Sequence, residues 1–194
     1  MAESSVIDVA EAEGRTLVAT AREAIASRLE ERAPRWPAAG PSLSAPSGAF
    51  VTLRTKDKSG SSLRGCIGRM SSTESLLRTV RDMAVSAAFE DPRFPPLERN
   101  ELHSVSVEVT VLSPMRLIRS IDEIEVGRHG VLMTKGGHSA VFLPQVATEQ
   151  GWNRDELLDN LCYKAGLSPA AWHSSDAKFQ VFEGRVFEEG EQAG

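Results

Sequence analysis

The sequence predicts an α+β fold, in which a mixed, mostly antiparallel sheet is flanked by helices. In residues 104–111, four valines alternate with polar residues, which is typical of a strand with one buried face. Gly136-Gly137 separates two β-rich segments and so indicates a tight hairpin. Residues 73–90 carry apolar side chains at a spacing of three to four, which predicts a helix.

The remaining elements follow from the same periodicities and from turn residues. The first part of the chain is predicted to hold a helix over 17–29 stopped by Pro34 and Pro37, a loop over 37–48, and strands over 48–55 and 63–67 joined by a turn at 56–62. A capping box at 71–74 precedes the helix over 73–90, which is followed by a helical turn over 98–103 and the strand over 104–111. The last part is predicted to hold strands over 130–135 and 138–143, a helix capped by Asn153 and closed by Gly166, a strand over 178–188, and a polar tail over 188–194. A hairpin followed by a helix occurs twice, so a duplicated β-β-α unit is possible.

Length and composition limit the class of protein. The 194 residues fit a single domain spanning 1–194, which two closely packed halves could build, and 41% hydrophobic residues are enough for a core. The polar N-terminus, the absence of a long apolar run and the presence of only two cysteines favour a cytoplasmic protein. The net charge of −5 argues against nucleic acid as a partner, and no membrane association is expected.

The segment Leu63–Gly68 is the strongest candidate for a functional site. If it is a regular strand, Leu63 and Ile67 share one face, and Arg64 and Cys66 share the other. Gly65 and Gly68 indicate a bulge or a place where another group approaches closely. A nearby cation would favour the thiolate of Cys66. The alternative interpretation is that Cys66 is a small buried apolar residue.

Other residues could complete this site. His129, in a loop bounded by Gly127 and Gly130, is the candidate base for Cys66, although the sequence alone favours a solvated turn histidine. Asp91 and Arg93 are held in a proline-rich connection, which suits either an internal ion pair or a recognition edge. No spacing typical of a metal site or a cofactor site occurs, so no metal and no cofactor are predicted.

Several separated motifs resemble the AMMECR-domain family, named for the Alport syndrome, midface hypoplasia and elliptocytosis chromosomal region. The segments that carry the resemblance are Leu63–Gly68, Ala87–Leu97, Val107–Pro114, Gly127–Gly130, Leu143–Ala147, Gly151-Trp152 and Leu161–Gly166. They occur in the family's order, and the resemblance extends from about residue 17 to residue 187.

The resemblance implies a main sheet and a smaller subdomain that meet at a cleft, with the glycine–cysteine motif near it. It also implies the role of protein A of the AmmeMemoRadiSam system, whose partners are a Memo-like protein and a radical SAM protein. The first hypothesis is therefore a binding or accessory component, in which Arg64, Arg93 and Arg128 bind an acidic group of a ligand or partner. The alternative is an enzyme with Cys66 as nucleophile, assisted by Arg64 and His129.

Overall fold

A computed structural model describes residues 9–57 and 60–190, and for residues 56 and 57 it describes the backbone alone. The described residues form four α-helices and seven strands, so the predicted α+β class is confirmed. They are β1 (Ala49–Asp57), β2 (Gly60–Arg69), β3 (Val105–Leu112), β4 (Arg116–Leu117), β5 (His129–Lys135), β6 (His138–Phe142) and β7 (Lys178–Glu188), with α1 (Glu11–Leu29), α2 (Leu76–Phe89), α3 (Pro144–Gln150) and α4 (Arg154–Lys164). The chain divides into two compact units, residues 1–112 with 185–194, and residues 113–184.

In the first unit, β1 pairs antiparallel with both β2 and β3, so β2 lies at the edge. The end of β7 lies next to β3, where Glu189 N–H donates to the carbonyl of Val107 at 3.0 Å. Helices α1 and α2 cover the face that carries Val51, Leu53 and the valines of β3. The opposite face of β1 to β3 is therefore left to polar and mixed residues, among them Thr52, Cys66 and Glu108, which lie opposite one another on the three strands.

The second unit contains its own hairpin and core. Strand β5 pairs antiparallel with β6 and with the first part of β7, and β4 pairs with β7. The predicted turn is confirmed, since Gly136 and Gly137 have φ of 52° and 86°, values that favour glycine. Val131 and Met133 of β5 pack with the leucines of α4. The helix caps at Asn153 and Gly166 are also confirmed.

Some predicted boundaries were wrong. Ser71–Glu74 does not form a capping box for α2, because the helix begins at Leu76 and Ser75 is its N-cap residue, whose side chain accepts from Arg78 N–H at 3.3 Å. The loop over 37–48 contains a short 3-10 helix at Pro41–Ser44. Helix α3 was not predicted.

The segment predicted as a tail begins later than residue 188. Glu188 is the last residue of β7, and the Glu189 carboxylate pairs with the guanidinium of Arg22. Residues 191–194, and residues 58 and 59 of the predicted turn, lie outside the described residues.

Candidate binding site at strand β2

The register of β2 changes within the candidate segment. Cys66 lies opposite Thr52 and Gly65 opposite Leu53, but Leu63 lies opposite Arg54, with a register shift between Leu53 and Arg54. Since β1 alternates regularly and directly opposed residues share a face, Leu63 lies on the Cys66 face. The prediction that Leu63 and Ile67 share one face was therefore wrong. It assumed a regular strand, and the irregularity at Arg64 changes the alternation.

Arg64 is engaged away from the thiol. Its Nε and Nη2 donate to the Glu101 carboxylate at 2.7 and 2.9 Å, and Nη1 donates to the Pro95 carbonyl at 3.0 Å. The side chain is only 11% exposed, and this ion pair lowers the pKa of Glu101. Arg64 therefore anchors the segment after α2 to β2, and within the described part of the chain no hydrogen bond joins it to Cys66.

The Cys66 thiol is partly buried beside Thr52. The Thr52 hydroxyl donates to Cys66 Sγ at 3.3 Å. Burial raises the pKa of the Cys66 thiol, and this effect outweighs the opposite effects of the Thr52 hydrogen bond and of the Arg93 charge. The cation that acts on this thiol is thus Arg93, and the thiol is protonated at neutral pH.

Asp91 and Arg93 clamp the outer edge of β2. The Asp91 Oδ2 accepts from the Cys66 backbone N–H at 2.8 Å, and Arg93 Nη2 donates to the Cys66 carbonyl at 3.2 Å. The two side chains also pair with each other, through Nε–Oδ1 at 3.0 Å and Nη2–Oδ2 at 2.7 Å. Asp91 is 1% exposed, whereas Arg93 is 54% exposed. The hydrogen bonds from Arg93 hold the pKa of Asp91 well below its usual range.

This clamp is consistent with both alternatives that the sequence left open for Asp91 and Arg93. It is an internal ion pair, and it also covers the unpaired backbone groups of an edge strand. Arg93 Nη1 donates no hydrogen bond within the described residues, and the side chain as a whole is half-exposed. A guanidinium held in one orientation can bind a carboxylate or a phosphate with little further loss of conformational freedom.

Glu108 and Thr52 belong to the same face, and sequence reasoning did not include them in the site. Thr52 lies opposite both Cys66 and Glu108 on its two neighbouring strands. The Glu108 carboxylate contributes to the raised pKa of Cys66, and it lies 3.7 Å from Arg54 Nε. The alternation of β3 already placed Glu108 on the polar face, but only the strand order brings that face beside Cys66.

The glycines of the motif serve close packing. A Cβ atom on Gly65 would lie 2.2 Å from the Ala87 carbonyl oxygen of α2, and one on Gly68 would lie 2.2 Å from the Phe50 ring. The predicted close approach is therefore confirmed at both positions. Because these contacts fix β2 against α2 and Phe50, they also fix the position of Cys66 and of the clamp.

The structure places His129 and Arg128 in the second unit, whereas Cys66, Arg64 and the clamp belong to the first. His129 is buried at the start of β5, and its Nδ1 accepts from Glu125 N–H at 3.1 Å. It is thus not a solvated turn residue. Arg128 donates to Glu125 at 3.1 Å and to Glu183 at 3.2 Å, so its guanidinium is already paired.

The described part of the chain contains no group of three or more His, Cys, Asp or Glu side chains that could hold a metal ion. Nor does any described helix have both the length and the apolar composition needed to cross a membrane.

Fold and site together define an α+β protein of two compact units, with a charged clamp on the edge strand of the first. The chain belongs to the AMMECR1 family, whose sequence model matches residues 18–187. It is 39% identical to a protein of Methanopyrus kandleri over 94% of this chain and 91% of the other, and 41% identical to one of Thermococcus onnurineus over 91% and 90%. An uncharacterised protein of Pyrococcus horikoshii has a similar structure, with a TM-score of 0.84, 36% identity and 94% coverage of both chains.

Proposed function

We propose that the protein is a binding component without covalent chemistry of its own, and that the surface around Leu63–Gly68 and Arg93 binds an acidic group of a partner protein. The resemblance to protein A of the AmmeMemoRadiSam system supports a Memo-like protein and a radical SAM protein as the partners. In such a system this chain would be the accessory component that holds the other two or their substrate.

One observation carries the proposal, namely the half-exposed side chain of Arg93, whose guanidinium a buried carboxylate holds in place. Binding sites gain affinity when their donors are oriented before the ligand arrives. Asp91 provides this orientation through two hydrogen bonds, at 3.0 and 2.7 Å, and leaves Nη1 for a ligand. Charge-assisted hydrogen bonds of this kind are about twice as strong as neutral ones.

The enzyme alternative, with Cys66 as nucleophile and Arg64 and His129 assisting, has less support. A nucleophilic cysteine needs a lowered pKa or an adjacent base. Burial raises the pKa of the Cys66 thiol, and the Arg64 guanidinium binds Glu101. His129 Nδ1 already accepts the Glu125 N–H, which leaves only Nε2 for any exchange of protons.

Association with the two candidate partners tests the proposal. The full chain would be immobilised and the Memo-like and radical SAM proteins of the same genome passed over it, separately and together. We expect Arg93→Gln to weaken the association at least about tenfold, since a charge-assisted hydrogen bond to a ligand would be lost. Arg93→Lys keeps the charge and should retain part of the affinity.

The matched control is Arg185→Gln, which removes an arginine that is 44% exposed on β7 and pairs with Glu11 at 3.6 Å. It should leave the association unchanged. Failure of the wild-type chain to bind either partner would contradict the proposed system, and equal affinities for wild type and Arg93→Gln would contradict the proposed surface.

A further inference from the structure

A polar groove lies on the helical side of the first unit. It is a groove of about 380 Å³ between α1, α2 and the segment that follows α1. The residues that line it are Ala24, Ser27, Pro34, Trp36, Arg78, Arg81, Asp82 and Val85. The volume is in the range of small-molecule sites, which are mostly apolar with a few charged groups.

Arg81 is the unusual residue of this groove. Its guanidinium carbon lies 3.9 Å from the centre of the Trp36 ring. Its Nε is buried and has no hydrogen-bond partner, and within the described residues Arg81 forms no ion pair. A buried donor without an acceptor costs free energy, and the cost is larger for a charged group. Partial burial also lowers the pKa of Arg81, although the Asp82 carboxylate opposes this effect.

The charge balance of the groove favours an anion. Two guanidinium groups line it, against the single carboxylate of Asp82, and Arg78 also pairs loosely at the surface with Glu74 at 3.6 Å. Glu23, which precedes the lining residue Ala24 on α1, is engaged elsewhere, since it binds both Nη1 and Nη2 of Arg32 at 2.6 and 2.9 Å. Trp36 is 41% exposed, and with Pro34 and Val85 it adds an apolar surface next to the two cations.

We infer that this groove binds a small organic anion, with its carboxylate or phosphate group on Arg81 and Arg78 and its apolar part against Trp36 and Val85. The anion accepts hydrogen bonds from the guanidinium groups that line the groove, and its negative charge offsets the positive charge of Arg81, which has no ion-pair partner among the described residues. The ring of Trp36 covers one side of the guanidinium and so excludes water from the resulting ion pair. This inference is independent of the surface around Arg93, because none of the residues that line the groove belongs to that surface.

Phenyl phosphate is the probe, with inorganic phosphate and phenol as its two halves. Proton–nitrogen correlation spectra of the full chain report the Arg81 Nε–H and the Trp36 indole N–H directly. We expect phenyl phosphate to shift both signals in a saturable manner, and to bind more tightly than either half. Arg81→Gln should reduce the affinity at least about tenfold, as expected for a lost charge-assisted hydrogen bond.

The control variant is Arg28→Gln, which removes an arginine that also stacks on a ring, at 4.8 Å from the centre of Phe89, but lies outside the groove. It should bind phenyl phosphate as the wild type does. Trp36→Leu tests the apolar part separately, and its affinity should fall toward that for inorganic phosphate. The inference is overturned if phenyl phosphate leaves the Arg81 Nε–H signal unchanged, or if Arg81→Gln and Arg28→Gln bind it equally.

Discussion

At the scale of single residues, the surroundings of Cys66 determine whether its thiol can react. The thiolate is the reactive form, so a raised pKa shifts alkylation to higher pH. In a Cys162→Ala background, we expect iodoacetamide to react with Cys66 more slowly than with a free thiol at pH 8. The rate should still be rising above pH 9, beyond the ordinary cysteine value of about 8.5.

Intact-mass measurement of the alkylated chain across pH checks this expectation. Cys162 is removed because it is the other cysteine of the chain, and alanine suits its fully buried position. A rate that levels off below pH 8 would show a lowered pKa and would favour the enzyme alternative.

Asp91 provides a prediction with a defined dependence on pH. Asp91→Asn removes a carboxylate that accepts from Cys66 N–H and from Arg93, and should lower the free energy of unfolding at pH 7 by about 2 kcal/mol. Since the folded-state pKa of Asp91 lies below the ordinary value near 4, its contribution is complete above that value and is lost as pH falls. The difference between wild type and variant should therefore shrink from about pH 5 downward.

Urea unfolding at pH 7, 5 and 3 measures this difference. Asp122→Asn is the control, because its carboxylate is 76% exposed and pairs with Arg154 at the surface. It should cost at most about 1 kcal/mol. A difference for Asp91→Asn that stays constant down to pH 3 would mean that the clamp contributes no pH-dependent stability.

Sequence reasoning selected Cys66, Asp91 and Arg93, and the structure brings these three residues together. It suggested Arg64 as the cation beside the thiol, whereas Arg93 has that position. The direction of Arg64 depends on the register shift in β2, which a periodicity of two cannot reveal. Glu108 was overlooked because its neighbours come from strands distant in sequence.

At the scale of elements, the packing of β2 against α2 depends on Gly65. A Cβ atom there would lie 2.2 Å from a backbone oxygen, which cannot rotate away. Gly65→Ala should therefore destabilise the chain by about 1–3 kcal/mol. Gly190→Ala is the control, since a Cβ there meets nothing within 4 Å, and it should change stability by less than about 0.5 kcal/mol. Similar urea midpoints for the two variants would show that α2 can shift without cost.

The start of α2 gives a second test at this scale. Ser75→Ala should cost about 1 kcal/mol, because the side chain accepts the Arg78 N–H. Ser71→Ala, at the position that the sequence pattern suggested as the cap, should have little effect. A thermal midpoint that is lower for Ser71→Ala than for Ser75→Ala would mean that the helix begins where the Ser-x-x-Glu pattern predicted.

The error at this helix has a simple origin. Serine occurs at positions 71, 72 and 75, and each is a good N-cap residue. The Ser-x-x-Glu pattern selected the first, whereas Leu76 begins the helix that is buried against the sheet. Helix α3 was missed for a related reason, because its seven residues are too few to establish a helical period.

At the scale of the whole molecule, the fold class followed from patterns that cover many residues. Strict alternation in β3 and the glycine pair before β6 identified an antiparallel sheet, and the long period of α2 identified a helix on its face. The boundaries between the two compact units, at Ser113 and Arg185, could not be predicted from the sequence. The second boundary lies inside β7, and this strand continues through it without interruption. Such a boundary is set by contacts between distant segments and leaves no local signal.

The central claim is that the protein acts by binding through Arg93 and not by chemistry at Cys66. It is tested most directly by the affinities of Cys66→Ala and Arg93→Gln for the same partner, measured side by side by calorimetry. The account predicts wild-type affinity for Cys66→Ala and a loss of at least about tenfold for Arg93→Gln. Loss of affinity in Cys66→Ala with full retention in Arg93→Gln would contradict it.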